Sequence, residues 1–291
     1  MAILQLVGGL GNQLFQYCFG RSLSLNSKKK FYINPAWYYL PKRTQYGMPF
    51  SLKEFRINCA FLPFLMNIPL EIIRRKGYQQ HHLDIYKKMF MRNTPNLTVY
   101  TDYDYLSGLM PKGDSIILDG YFQDYRWFEQ YRELLIREIH PRKDLNKQNE
   151  SYLRQITDVN SVAIHIRRGV YITDARIRNQ YPNVTLEYYQ KAIEIISSKV
   201  NQPHFFIFSN DIDWVKQSFK TNSQFVIIEN SGPDYEHLYL MSKCKHQIIA
   251  NSTFSWWGAW LNQYQAKIVI APKNWEKKHA RIPASWVRLK N

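Results

Sequence analysis

The run Val162-Ala163-Ile164-His165-Ile166, followed by Arg167-Arg168-Gly169, is short, apolar and rich in β-branched side chains. A run of that kind, followed by the helix-period stretch Leu186–Lys199, reads as a buried strand feeding a helix. The unit then repeats. His204–Phe208 precedes Ile212–Phe219, Phe225–Ile228 precedes Tyr235–Lys243, His246–Ala250 precedes Phe254–Leu261, and Lys267–Ala271 closes the series. Strands alternating with helices over short connections predict parallel βαβ units. The N-terminal end opens the same way, with a strand over Ile3–Val7, a turn over Gly8–Asn12, a helix over Gln13–Asn26 and a strand over Phe31–Asn34. Between Pro35 and Leu118 the periodicity is poor and places no element. The polar stretch His140–Gln155 reads as a linker. The expected fold is α/β, with two domains, 1–150 and 151–291, facing a cleft.

Composition sets the outer bounds. The 291 residues are 45% hydrophobic and 15% aromatic, and so much ring surface excludes disorder over most of the chain. Lys and Arg number 39 against 23 Asp and Glu, a net charge of +16 that predicts attraction to nucleic acid, a membrane surface or a phosphorylated substrate. Cys18, Cys59 and Cys244 are odd in number and have no metal-like spacing, so a reducing compartment fits better than a disulfide framework. Met1–Val7 has neither a basic start nor a long apolar stretch, so no signal peptide or anchor is expected. The greasiest segment, Ala60–Ile73, is interrupted by Pro63, Asn67, Pro69 and Glu71 and falls short of the ~20 residues of a spanning helix. With Arg74-Arg75-Lys76 directly after it, the segment reads as a core helix with a basic exit or as a membrane-surface patch.

Polar residues gather where strands end. Gly8-Gly9-Leu10-Gly11-Asn12-Gln13 joins a strand to a helix, and its glycines allow positive φ and close approach of a backbone or ligand. The helix start offers unpaired N–H groups to an anion, and two amides there can bind sugar hydroxyls. His165 and Arg167 share one side of their strand while Arg168 points to the other, so one arginine can reach a pyrophosphate while its neighbour braces the fold. Asn251-Ser252-Thr253-Phe254-Ser255 opens a helix with more hydroxyl and amide groups than a cap needs. Ser209-Asn210-Asp211 ends another strand and reads by itself as a cap. In parallel sheets ligands bind beyond the carboxyl ends of the strands. Together the three clusters describe a nucleotide-diphosphate pocket.

These stretches resemble the alpha-1,2-fucosyltransferases of bacteria and animals. Gly8–Tyr17 is similar to the family's opening, His165–Tyr171 to H-x-R-R-G-D-Y, Phe208–Asp211 to F-S-D-D and Ala250–Trp260 to A-N-S-T-F-S-W-W, and Gly120–Asp124 matches a mid-chain signature. The resemblance implies a GT-B architecture of two Rossmann-like domains, an acceptor-side first domain and a GDP-sugar-binding second domain. It implies an inverting transfer of L-fucose from GDP-fucose to the 2-hydroxyl of a terminal β-galactoside, with no metal or cofactor. Arg168 would then bind the donor pyrophosphate, Arg167 would support it, and His165 would lie near the ribose or guanine. Asn251, Ser252, Thr253, Phe254 and Ser255 would hold the phosphates, and Ser209, Asn210 and Asp211 would complete the pocket. Asn12 would lie near the fucose and the acceptor, with Gly9, Gly11 and Gln13 lining the site. Asp174 and Asp124 are the candidates for the general base. Val170 and His237 stand where the family usually has Asp, and Asn210 replaces the first Asp of F-S-D-D.

Two other classes compete. A basic, aromatic-rich chain can stack single-stranded nucleic acid, but no RNA-binding signature is present and the arginines are not gathered on one periodic face, so no nucleic-acid partner is expected. The replacements at Val170 and His237 suggest a catalytically silent sugar-binding relative, and a fucosyl transfer in another linkage is a further alternative. The expected location is cytoplasmic and bacterial, with peripheral contact at an anionic inner membrane face.

Overall fold

The computed structural model describes residues 1–40, 48–92, 94–102, 104, 107, 109, 112–168, 184–219, 224–229, 232–275 and 282–290. The chain divides into two units, Met1–Ile139 and His140–Asn291.

In the first unit, β1 (Ala2–Gln5) is buried at all four positions and turns through residues 6–9 into α1 (Leu10–Ser27). β2 (Phe31–Asn34) and β3 (Ala60–Phe61) follow, then α2 (Phe64–Arg75), α3 (Gln80–Phe90), β4 (Leu97–Thr101), β5 (Ser115–Asp119) and α4 (Arg132–Glu138). The strands form one parallel sheet in the order β3-β2-β1-β5-β4. Elements therefore occupy the region 35–118, where the sequence places none. There α2 and α3 lay Leu70, Ile73, Leu83 and Tyr86 on Ile3 and Ile117. Their outer faces also carry apolar residues, and that blurs the polar–apolar contrast on which periodicity depends.

The second unit starts with α5 (Lys147–Asp158), β6 (Asn160–Ile166), α6 (Leu186–Ser197), β7 (Pro203–Ser209), α7 (Ile212–Ser218) and β8 (Phe225–Ile227). It continues through α8 (Asp234–Lys243), β9 (His246–Ile248), α9 (Thr253–Leu261), β10 (Val269–Pro272) and β11 (Val287–Leu289). Its parallel sheet has the order β11-β10-β9-β6-β7-β8. One face of β6 packs Val162, Ile164 and Ile166 against α6 and α7, and the other packs Ala163 against α5 and α8.

The domain boundary differs from the sequence expectation, because residues 140–150 belong to the second unit. The stretch read as a linker is largely helical. Ile156, Tyr152 and Leu153 join Phe206, Phe208, Leu240 and Met241. The Asn146 side chain caps α5 by accepting from the Asn149 N–H at 3.0 Å. The Asn146 and Asn149 amides both donate to Glu236, at 2.8 and 2.7 Å. Residues that look like solvated linker polarity are partners in a buried network.

In both sheets the strand order reverses beside the first strand, between β1 and β5 and between β6 and β9. Such switch points leave a crevice at the carboxyl ends of the strands, where ligands of parallel α/β sheets bind. No described helix is long and apolar enough to cross a membrane.

Candidate active site

At the switch point of the first unit, Gly8 takes a φ of +82°, a conformation that a side chain would strain. A Cβ there would also lie 3.0 Å from the Asn12 amide nitrogen. Asn12 is half-buried and accepts a hydrogen bond from Gln123 Nε2 at 2.8 Å, which joins the turn after β1 to the segment after β5. Gln16 ties the same two segments by accepting from the Val7 N–H and donating to the Gly120 carbonyl.

Gln13 is placed differently from its expected role. It is fully buried, donates to the Gly8 and Pro49 carbonyls at 3.0 and 2.8 Å, and accepts from the Leu52 N–H at 2.9 Å. It latches the 49–52 segment onto α1, with its amide oxygen and nitrogen both engaged there. Gly11 lies buried inside α1, and the Gly9 carbonyl receives the first N–H groups of that helix. Asp124 is buried, accepts from the Arg126 backbone N–H and pairs with the Arg126 guanidinium at 2.8 and 3.0 Å. That carboxylate shapes a turn and is paired within it. Asp174, the other candidate base, and Val170 lie outside the described residues.

In the second unit, the carboxyl ends of the adjacent strands β9, β6 and β7 carry the remaining candidates. Arg168 is braced. Its backbone N–H donates to Asn210 Oδ1 at 2.9 Å, its Nε lies 3.2 Å from Asp211 Oδ2, and its guanidinium stacks 4.1 Å above the Trp214 ring. Asp211 also caps α7 by accepting from the Trp214 N–H, and the Ser209 hydroxyl accepts from the Asp211 N–H. Ser209, Asn210 and Asp211 thus form a bracket for Arg168 on the α6–α7 face of the sheet. Nothing in the sequence singled out Trp214; its spacing three residues after a capping Asp is the one signal that could have.

His165 lies on the opposite face, only 6% exposed, with its ring centroid 5.4 Å from that of Phe254 in the first turn of α9. Burial pushes its pKa down to about 3, and the charges of Arg167 and His237 push the same way. The imidazole is therefore neutral, and its Nδ1 has no hydrogen-bond partner. Two more polar atoms near it are in the same state: Asn251 Nδ2, just before α9, and His237 Nε2 on α8, whose ring packs near Phe208. Buried polar atoms without partners are costly. Others among the described residues include those on Gln5, Asn67, His82, Tyr86 and Gln247, and the three on His165, His237 and Asn251 form the candidate site. Arg167, one residue past β6, lies near enough for its charge to act on His165.

At the tip of α9, Ser252 occupies the N-cap with extended backbone, and its side chain makes no capping bond. Thr253 and Phe254 are half-buried. Ser255 is buried and donates within its own turn to the Ala250 and Ser252 carbonyls, so its hydroxyl is structural. A nine-residue helix starting here presents N–H groups and a partial positive charge to an anion. Among the described residues no group of three or more His, Cys, Asp or Glu side chains is placed to hold a metal ion.

Comparison with solved structures shows the same overall class. A NodZ alpha-1,6-fucosyltransferase soaked with GDP-fucose superposes with a TM-score of 0.51 at 12% identity, covering 89% of this chain and 92% of that one. The fucosyltransferase NodZ from Bradyrhizobium gives 0.53, also at 12% identity, covering 88% and 91%. The fold is of the GT-B type, with two Rossmann-like units. The chain belongs to Glycosyl transferase family 11, whose profile matches residues 2–288. It is 30% identical to the O-antigen biosynthesis glycosyltransferase WbnK of Escherichia coli over 98% of this chain and 99% of that protein. It is 31% identical to an Escherichia coli alpha-1,2-colitosyltransferase over 99% of each. Similarity to the galactoside alpha-(1,2)-fucosyltransferase 2 of Rattus norvegicus is 23% over 75% of this chain and 62% of that one.

Proposed function

We propose that this glycosyltransferase moves L-fucose, with inversion and without a metal, from GDP-β-L-fucose to the 2-hydroxyl of a terminal β-galactoside in a bacterial surface polysaccharide of the O-antigen type. The carrying observation is the group of buried, unpartnered polar atoms on His165, His237 and Asn251 beside the tip of α9. A nucleotide diphosphate sugar supplies what that group lacks: a polar base and ribose for the imidazoles and the amide, and an anion for the helix tip.

In the transfer, the acceptor hydroxyl attacks the anomeric carbon, the C–O bond to GDP breaks on the opposite face, and the β-linked donor becomes an α-fucoside. The hydroxyl proton leaves to a base, and negative charge grows on the departing phosphate. Preorganised donors for that charge are worth roughly 3–4 kcal/mol each. Arg167, whose charge acts on His165, is the arginine we assign to the pyrophosphate, because Arg168 is held by Asp211 and Trp214 on the other face. Asn12, held by Gln123, is assigned to the sugar or acceptor.

A second reading concerns the sugar. Identity to the alpha-1,2-colitosyltransferase exceeds that to the alpha-(1,2)-fucosyltransferase, which favours colitose, fucose without its 3-hydroxyl, as the alternative donor. The test incubates the protein with GDP-fucose or GDP-colitose and lactose in the presence of a chelator, following GDP release and the product linkage by NMR. An α-1,2-fucoside is expected. Colitoside alone supports the second reading, GDP binding without turnover supports the silent relative, and turnover only after metal addition sinks the metal-free mechanism. Arg167→Ala should lower kcat by about 10²–10³-fold with the fold intact, as expected when one charge-stabilising donor is lost.

A further inference from the structure

The first unit carries a surface that the transfer reaction leaves unused. Helices α2 and α3 bury one side each, yet their outer faces are strongly apolar. Phe64 is 70% and Leu65 76% exposed, and Ile72 lies on the same face of α2 as both. On α3, Ile85 and Met89 are 53% and 62% exposed, four residues apart on one face. Phe61, just before α2, is exposed as well.

Basic residues continue both faces. Arg75 ends α2 and Lys76 follows it, Lys88 lies one turn from Ile85 on α3, and Arg92 comes just after α3; all four are exposed. The acids nearby are fewer than the bases, and the Glu71 pair takes up Arg75, leaving exposed Lys76, Lys88 and Arg92 to carry the basic border. Glu71 is buried and held by Arg74 at 2.7 Å and Arg75 at 3.0 Å, while Asp84 accepts from Gln80. Phe61, Phe64 and Leu65 follow the carboxyl end of β3, the same rim of the parallel sheet as the Gly8–Gln13 turn.

We propose that this α2–α3 face docks on an anionic bilayer, its exposed rings and aliphatic chains entering the headgroup boundary and its arginines and lysines resting on lipid phosphates. Apolar side chains on one helix face with a basic border are the pattern of interfacial helices. Charge complementarity selects the bilayer over a second copy of the chain, because two such faces would bring Lys76, Lys88 and Arg92 against their own kind. The inference goes beyond the transfer reaction and does not depend on which sugar is moved.

The test sediments the full chain with phosphatidylglycerol–phosphatidylethanolamine vesicles and with phosphatidylcholine vesicles. Binding is expected to the first only, and to weaken with added salt. Phe64→Ser with Leu65→Ser, and separately Lys88→Glu with Arg92→Glu, should each lower the bound fraction roughly tenfold or more. All these residues are exposed, and turnover on a soluble acceptor should not change. Equal partition between the two lipids, or full binding by both double variants, overturns the proposal. So does a concentration-dependent dimer that the Phe64–Leu65 variant abolishes without any lipid binding. Absence of turnover on every acceptor would count against the proposed activity and leave the vesicle result standing.

Discussion

His165 keeps a titratable ring where water does not reach, and that has a measurable consequence. The folded protein holds its pKa near 3, chiefly through burial, whereas the unfolded chain takes up the proton near the ordinary 6.5. The unfolded state therefore binds more protons between those values, and stability is full above about pH 6.5 and falls as pH drops toward 3. His237 and His246, also lowered by burial, add to the same limb. His165→Gln should make the fall of Tm between pH 7 and pH 4 shallower than in the unaltered protein. An unchanged slope would mean that the ring is solvated. The motif made His165 legible as a site residue. Its burial was not legible, because Phe254 comes from a segment about ninety residues away that folds onto it. Gln13 teaches the converse: an amide beside a glycine turn looks available, but Pro49 and Leu52 arrive from a distant segment and occupy it.

At the scale of elements, propensity and packing give opposite signs at Gly20. Within a helix, Gly to Ala normally gains about 1 kcal/mol. In α1, however, a Cβ at position 20 would lie 2.4 and 2.5 Å from carbons of the Phe31 ring, which is buried in β2. Overpacking of that kind costs typically 1–3 kcal/mol beyond any propensity gain. Gly20→Ala should therefore lower Tm, and a rise in chemical denaturation midpoint would show that α1 and β2 can separate. Where the alternation of strand and helix was read, it agrees to within a few residues: Phe31–Asn34 matches at both ends and Leu186 begins its helix as expected, whereas α1 starts at Leu10 and not at Gln13. The α2–α3 pair was not, since its outer apolar residues and Pro69 erase the periodic signature. Nor was α5, whose asparagines are buried against Glu236.

For the whole molecule, the net charge is +16, and the proposed ligand is an anionic nucleotide diphosphate. Long-range attraction of that origin is screened as the Debye length shrinks from about 30 Å at 0.01 M salt to about 3 Å at 1 M. GDP binding measured by calorimetry should weaken steadily across that range, with the proton-independent contacts at the α9 tip leaving a residual affinity. A flat salt profile would assign the affinity to short-range contacts alone.

What the sequence determined by itself is the strand–helix alternation at the N-terminal end and through most of the second unit, and with it the parallel α/β class and the gathering of polar residues at strand ends. Those features follow from local periodicity and backbone alternation, which need no distant partner. Tertiary structure alone decided which candidates are left to meet a ligand. Asp211 and Trp214 take Arg168, Arg126 takes Asp124, and the backbone of 49–52 takes Gln13, whereas His165, His237 and Asn251 keep polar atoms with no partner. A side chain's availability depends on what folds against it, and chain connectivity does not encode that locally.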